Sequence, residues 1–175
     1  MKEKTVAIFN GYYIPHLGGV ERYTYNIAKK LTEKGYRVII ITTQHDENLT
    51  NEEIQEGIKI YRLPIKNLWK NRYPFLKKNR IYHSLIEKIE AESIDYYVAN
   101  TRFHLPAMLG VKMAKAKGKE AIVIEHGSSY LTLNNPVLDF MLRKIEQLLI
   151  GRVKKDTSLF RSEEHTSELQ SLERI

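Results

Sequence analysis

Thr5-Val-Ala-Ile-Phe9, Asn10-Gly-Tyr-Tyr-Ile-Pro-His-Leu-Gly-Gly-Val-Glu-Arg22 and Arg37-Val-Ile-Ile-Ile-Thr42 decide how this chain is read. The first run is apolar and β-branched, as a buried strand requires. The second is a glycine- and proline-bearing loop ending in two adjacent glycines. Val20, Tyr23, Ile27 and Leu31 then recur at helical spacing, with Lys29, Lys30, Glu33 and Lys34 on the wet side. Gly35 stands where a helix C-cap glycine belongs, and the third run is a second buried strand. Strand, glycine-rich loop, helix and strand in that order make a right-handed βαβ unit with parallel strands.

The same rhythm continues. Ile58–Leu63 reads as a third strand ending at Pro64, after a turn-rich acidic segment from His45 to Gly57 expected as a loop or frayed helix. Ile81, Leu85, Ile86 and Ile89 mark a helix ending near Ser93. Asp95–Ala99 is a fourth strand, Leu105–Lys117 a helix closed by Gly118, and Ala121–Glu125 a fifth strand. Pro136 suits the first turn of a further helix opened by Asn135, with Val137, Met141, Ile145, Leu148 and Leu149 as its apolar stripe. Strands apolar on both faces and alternating with helices give a doubly wound α/β sheet. Ligands of such sheets bind beyond the carboxyl ends of the strands. The loops after Phe9, Ala99 and Glu125 therefore matter most.

Composition narrows the chemistry. With 175 residues, 42% apolar and 28% charged, the chain can build one packed domain. It contains no cysteine, which excludes a disulfide scaffold, a thiolate metal site and a cysteine nucleophile. No apolar run approaches the roughly 18 residues that span a bilayer, and Met1-Lys-Glu-Lys4 opens without a signal-peptide pattern. A cytoplasmic location is expected, so the sequon Asn48-Leu49-Thr50 is read as chance. A net charge of +7 suits phosphorylated ligands, anionic lipid or nucleic acid.

The segment Arg161-Ser-Glu-Glu-His-Thr-Ser-Glu-Leu-Gln-Ser171 has no apolar period, and all eleven residues match a common sequencing adapter read in frame. Residues 161–175 are therefore expected to be a non-native, disordered tail that packs against nothing. Residues 1–160 form the domain, and the natural protein is expected to run on beyond Phe160. The domain itself is expected to be incomplete, its sheet stopping one strand early with an open edge.

Two glycines at a helix start let a ligand approach the backbone, where free N–H groups and the positive dipole end favour phosphate. The alternative is that Gly18 and Gly19 only turn the chain. The spacing is not G-x-G-x-x-G, and no acid follows the second strand at once, which disfavours a nicotinamide enzyme.

Pro15-x-x-Gly18-Gly19-Val20-Glu21-Arg22 after a strand, followed by Ala28-x-x-Leu31 and Lys34-Gly-Tyr-x-Val38, resembles the opening of glycosyltransferase family 4. The resemblance extends over Thr5 to Phe160. It implies the N-terminal, Rossmann-like, acceptor-side half of a two-domain GT-B enzyme. The implied parent is a retaining hexosyltransferase that uses a nucleotide sugar and a glycan or lipid-linked acceptor, without a metal or other cofactor.

The resemblance also places Gly18 and Gly19 beside the donor diphosphate. His126, in Ile122-Val-Ile-Glu-His-Gly-Ser-Ser129, falls where the family has a catalytic histidine against the donor sugar; such a residue can donate a hydrogen bond to a hydroxyl or to developing charge. The alternative for His126 is a loop histidine bonded to backbone. Tyr12, Tyr13, His16, Arg22 and His104 flank the implied cleft on the acceptor side, though no motif fixes them and His104 reads equally as a helix-terminal polar residue. His45 and His83 read as surface residues. The family's C-terminal Glu-x7-Glu pair has no counterpart: no two glutamates here lie eight positions apart. The nucleotide sugar would therefore be held mainly by a C-terminal half absent from this sequence.

Lys66, Lys70, Arg72, Lys77, Lys78 and Arg80 are interleaved with Trp69, Tyr73 and Phe75, with no acid among them. A solvated basic face is the default. The aromatics favour contact with an anionic membrane surface, in keeping with family members that use lipid-linked acceptors. Nucleic acid is disfavoured, because no recognition motif accompanies the charge. A second class of function is a non-catalytic acceptor- or membrane-binding module that partners a separate donor-binding subunit.

Overall fold

The computed structural model describes residues 3–68, 73–101 and 104–126, together with the backbone at 144, 147, 151 and 160–162. In chain order the elements are β1 (Thr5–Phe9), α1 (Gly19–Glu33), β2 (Arg37–Gln44), β3 (Glu52–Gln55), β4 (Ile58–Leu68), β5 (Tyr73–Leu76), α2 (Arg80–Ala91), β6 (Tyr96–Asn100), α3 (Leu105–Ala116), β7 (Ala121–Glu125) and β8 (Phe160–Ser162). The sheet runs β3-β4-β2-β1-β6-β7-β8, with β5 paired to the far end of β4. All neighbours from β4 to β8 are parallel; β3 and β5 join β4 antiparallel.

This order is that of a doubly wound fold. The chain steps outward from β1 through β2 to β4, then returns past β1 to lay down β6, β7 and β8. The direction reverses between β1 and β6, and a crevice opens there at the carboxyl ends.

Alternation along the strands builds two cores. Val6, Ile8, Val38, Ile40, Ile58 and Ile60 face one side with Ala28 of α1, against which Ile27 and Leu31 pack. Ala7, Phe9, Ile39, Ile41, Tyr61 and Leu63 face the other, covered by Tyr82, Leu85 and Ile89 of α2 and by Ala107, Met108 and Val111 of α3. The apolar-on-both-faces reading of these strands is thus realised. Gly35, at φ +81°, ends α1: Tyr36 N donates to Leu31 O and Gly35 N to Thr32 O, the paired bonds of a left-handed helix stop. Asn79 caps α2 by accepting from Tyr82 N at 2.9 Å.

Three expectations need correction. His45 to Gly57 is not merely loop or frayed helix, because it contains β3, an edge strand hairpinned to β4. Glu56 and Gly57 turn it, with φ of 51° and 79°, the doubly positive backbone of a tight hairpin turn. Its polar, acidic sequence hides it, because one face of an edge strand meets water.

The third strand does not stop at Pro64. β4 pairs with β2 as far as Pro64, where a ring nitrogen without a proton ends that ladder, and its remaining residues pair with β5. The residues past Pro64 carry this hairpin roughly 13 Å beyond the sheet edge.

Finally, the segment expected to pack against nothing begins in the sheet. β8 pairs with β7 through Val123–Phe160, Ile124–Arg161 and Glu125–Ser162. The backbone of Arg161 and Ser162 therefore does join the domain's sheet, because an open strand edge offers unpaired N–H and C=O groups to extended backbone. Residues 163–175 lie outside the described residues. The expected helix after Asn135 does too, apart from helical backbone at 144, 147 and 151.

Candidate functional site at the sheet's switch point

Asn10 follows β1 and Asn100 ends β6, one on each side of the crevice, and both are buried. Their side-chain amides converge on the Thr24 hydroxyl of α1, at 3.0 Å from Asn10 Nδ2 and 2.7 Å from Asn100 Nδ2. Thr24 Oγ1 in turn donates to Val20 O at 2.8 Å. The first two turns of α1 are thereby fastened over the crevice.

The loop between β1 and α1 lies along the carboxyl edge and divides its two tyrosines. Tyr13 turns into the core beneath α1, 1% exposed, and burial pushes its hydroxyl far up. It is a packing residue, which corrects its expected place on the acceptor side.

Tyr12 instead gathers imidazoles. His16 stacks on it at 4.7 Å, while His45 and His104 meet it edge-on at 5.9 and 6.3 Å; His16 and His45 are 5.5 Å apart. These rings arrive from the ends of β1, β2 and β6. His45 is therefore not a surface residue: it is half-buried in this cluster. Its sequence signal was only its position just past a parallel strand. His83, by contrast, is exposed on α2.

Crowding sets the charge of the cluster. Burial pushes His104 down to about 4. A Cβ at residue 11 would run into the His104 ring, so glycine there lets the imidazole lie against the loop backbone. His45 is also lowered, first by burial and further by the charges of His16 and Arg62, against a bond to Thr43 O that opposes the shift. Both shifts favour the uncharged imidazole, which has one N–H and one lone pair; His45 Nδ1 is already engaged by Thr43 O. Such groups suit hydroxyl-bearing ligands.

The two glycines are not equivalent. Glu21, buried in the first turn of α1, folds its carboxylate back over Gly18, where any Cβ would meet Oε2; the same carboxylate lies 3.8 Å from His16 Nδ1. Gly19 faces open space, with nothing within 4 Å of a Cβ placed there. A ligand can therefore reach the backbone at Gly19 without moving protein, whereas Gly18 already carries an acid, itself favoured at a helix N-terminus. Arg22 is exposed on α1.

His126 follows β7 and sets its ring edge-on to Tyr23 of α1, with centroids 4.6 Å apart. Tyr23 lies about one turn beyond Gly19. The end of β7 and the start of α1 thus meet on one sheet edge although far apart in sequence.

Arg62 was not singled out from the sequence. It is 1% exposed on β4, pairs with Glu53 Oε1 at 2.7 Å and donates to Ile14 O at 3.2 Å, pinning the first loop to the β3–β4 hairpin. Farther out, Lys66, Lys77 and Lys78 line an open groove with Phe75, Leu76 and Asn79. Arg80 is exposed at the start of α2; Trp69, Lys70 and Arg72 lie outside the described residues. Among the described residues no three His, Asp or Glu side chains form a metal-binding group. Nor is any helix there long and apolar enough to cross a membrane.

Known proteins share this sequence pattern. The model of Glycosyltransferase Family 4 matches residues 17–155. An uncharacterized glycosyltransferase of Methanocaldococcus jannaschii is 32% identical over 143 residues, covering 77% of this chain and 35% of its own length. The GPI3 subunit of phosphatidylinositol N-acetylglucosaminyltransferase from Saccharomyces cerevisiae is 23% identical over 166 residues, covering 90% of this chain and 36% of its own. A solved sucrose-phosphate synthase chain from Thermosynechococcus elongatus aligns with 82% of this chain and 40% of its own at 13% identity, with a TM-score of 0.48. The chain spans about a third of the length of the curated relatives it matches. The family match covers most of the chain, including the glycine pair, β6, and β7 with His126 after it, and on that ground the chain belongs to glycosyltransferase family 4.

Proposed function

We propose that this chain is the N-terminal, acceptor-side half of a GT-B glycosyltransferase that transfers a hexose from a nucleotide sugar, with retention, to a glycan or lipid-linked acceptor. The observation that carries the reading is the open backbone at Gly19, at the start of a helix fastened over the switch point. A diphosphate fits there by the physics of helix N-termini. His126, whose ring meets Tyr23 one turn along α1 from Gly19, acts toward the donor sugar. The neutral imidazoles around Tyr12 take acceptor hydroxyls. No metal or other cofactor enters the scheme: the charge developing on the leaving diphosphate is met by backbone N–H groups and by the missing half.

The relatives named for phosphatidylinositol N-acetylglucosaminyl transfer support a lipid-linked acceptor. The groove formed by Lys66, Lys77 and Lys78 supports attachment to the anionic inner face of a membrane. Alone, the chain has no turnover, since the donor nucleotide is held by the other half. The experiment is to read the gene downstream of codon 160 and assay the protein it encodes. An in-frame second half with a Glu-x7-Glu pair and sugar transfer from a nucleotide sugar support the enzyme. A natural stop codon, with a separate donor-binding partner, supports instead the acceptor- or membrane-binding module.

A further inference from the structure

We propose that Thr24 is the positioning residue of this site: its hydroxyl sets where the Gly18–Gly19 backbone and Tyr23 stand relative to the ends of β1, β6 and β7. A hydroxyl has one proton to give and two lone pairs to share. Thr24 uses all three, giving the proton to Val20 O in the first turn of α1 and accepting from Asn10 and Asn100. These are the segments that border the switch point. The side chain is fully buried, so no water can substitute for a lost bond.

The backbone beyond Asn100 is also held in an unusual state. Thr101 sits at φ +66°, a left-handed conformation that a β-branched residue adopts only under constraint from its surroundings. Thr101 N donates to Ile124 O at 2.9 Å, two residues before His126. One polar relay thus runs from the first turn of α1 through Asn100 and Thr101 to the end of β7. Tyr23, adjacent to Thr24, closes it against the His126 ring.

This assignment rests on the reading of Gly18–Gly19 as a phosphate-binding turn, and one experiment separates the two. The chain is titrated with inorganic pyrophosphate while the Gly18 and Gly19 amide resonances are followed, in wild type, Thr24→Val and Thr24→Ser, each checked by thermal melt. Valine keeps the shape and removes the hydroxyl; serine keeps the hydroxyl. The expected result is saturable displacement in wild type and Thr24→Ser, with affinity about fivefold or more weaker in a folded Thr24→Val, because misplacing one hydrogen-bonded contact is worth about that factor. A lower melting temperature with unchanged pyrophosphate affinity in Thr24→Val overturns the positioning role and leaves Thr24 a structural residue. No displacement in wild type overturns the phosphate reading, and the assignment with it. Should Thr24→Val not fold, Asn100→Ala removes one arm of the relay and carries the same expectation.

Discussion

At the scale of single residues, burial and close approach decide what each candidate can do. Gly18 and Gly19 are adjacent in sequence and alike in composition, yet one lies under the Glu21 carboxylate and the other faces open space. Substitution should separate them. In the full-length protein, Gly19→Val should leave the melting temperature within a few degrees of wild type while lowering donor use at least tenfold, read as kcat/KM for the nucleotide sugar. Gly18→Val should destabilise the fold as well, since its side chain must displace Glu21. His104 supplies a pH signature. Its folded value near 4 lies below the ordinary 6.5, so the unfolded chain binds the extra proton more readily. Stability is therefore full above pH 6.5 and falls as pH drops toward 4, by about 3 kcal/mol. Urea melts across that window should show the fall, and His104→Asn should flatten it. The sequence showed that Tyr12, Tyr13, His16 and His104 border a strand end. It did not show which way each ring turns, because a loop has no fixed period to assign its faces. Tyr13 therefore went to the core unforeseen, and His45 joined the site unforeseen.

At the scale of elements, apolar period carried most of the reading. Runs such as Val38–Ile41, buried on both faces, made strand identity plain, and Gly35 marked the end of α1. What escaped was structure whose sequence is polar. β3 is acidic and lies on an edge, and β8 is only three residues long, neither of which leaves an apolar pattern. Arg62 escaped for a related reason: it occupies an inward strand position that sequence alone assigns to an apolar side chain. Polar links also join elements on the opposite, amino-terminal edge. Glu92, after α2, meets Arg37 of β2 at 2.7 Å, Lys59 of β4 at 2.9 Å and the Tyr61 hydroxyl at 2.8 Å. Burial alone would raise its carboxyl, but the bonds from Lys59, Arg37 and Tyr61 together outweigh burial and hold it at about 2. A carboxylate depressed on folding stabilises above its unfolded value near 4.5 and loses that contribution as pH falls toward 2. Glu92→Gln should lower stability at pH 7 by about 2 kcal/mol and remove this second acid transition, as denaturant melts between pH 5 and 2 would record.

At the scale of the whole molecule, strand order brings distant residues to one edge. Tyr23 of α1 meets the His126 ring because β1 and β7 point the same way and α1 crosses the reversal between β1 and β6. The β4–β5 hairpin leaves the sheet at Pro64, and at its base Lys66, Lys77 and Lys78 line a basic groove. Vesicles containing anionic lipid should sediment the chain at low salt and release it at high salt, while neutral vesicles should not bind it. Equal binding to both would reject a membrane role for the groove. On the proposed function, this edge is the reacting face of a sugar transferase. The direct measurement is steady-state transfer from a nucleotide sugar by the full-length protein, wild type against His126→Ala, with circular dichroism and melting temperature recorded for both. Losing one hydrogen-bond donor aimed at charge in the transition state should lower kcat about a hundredfold with the fold intact. Near-wild-type kcat in a folded His126→Ala would contradict the account.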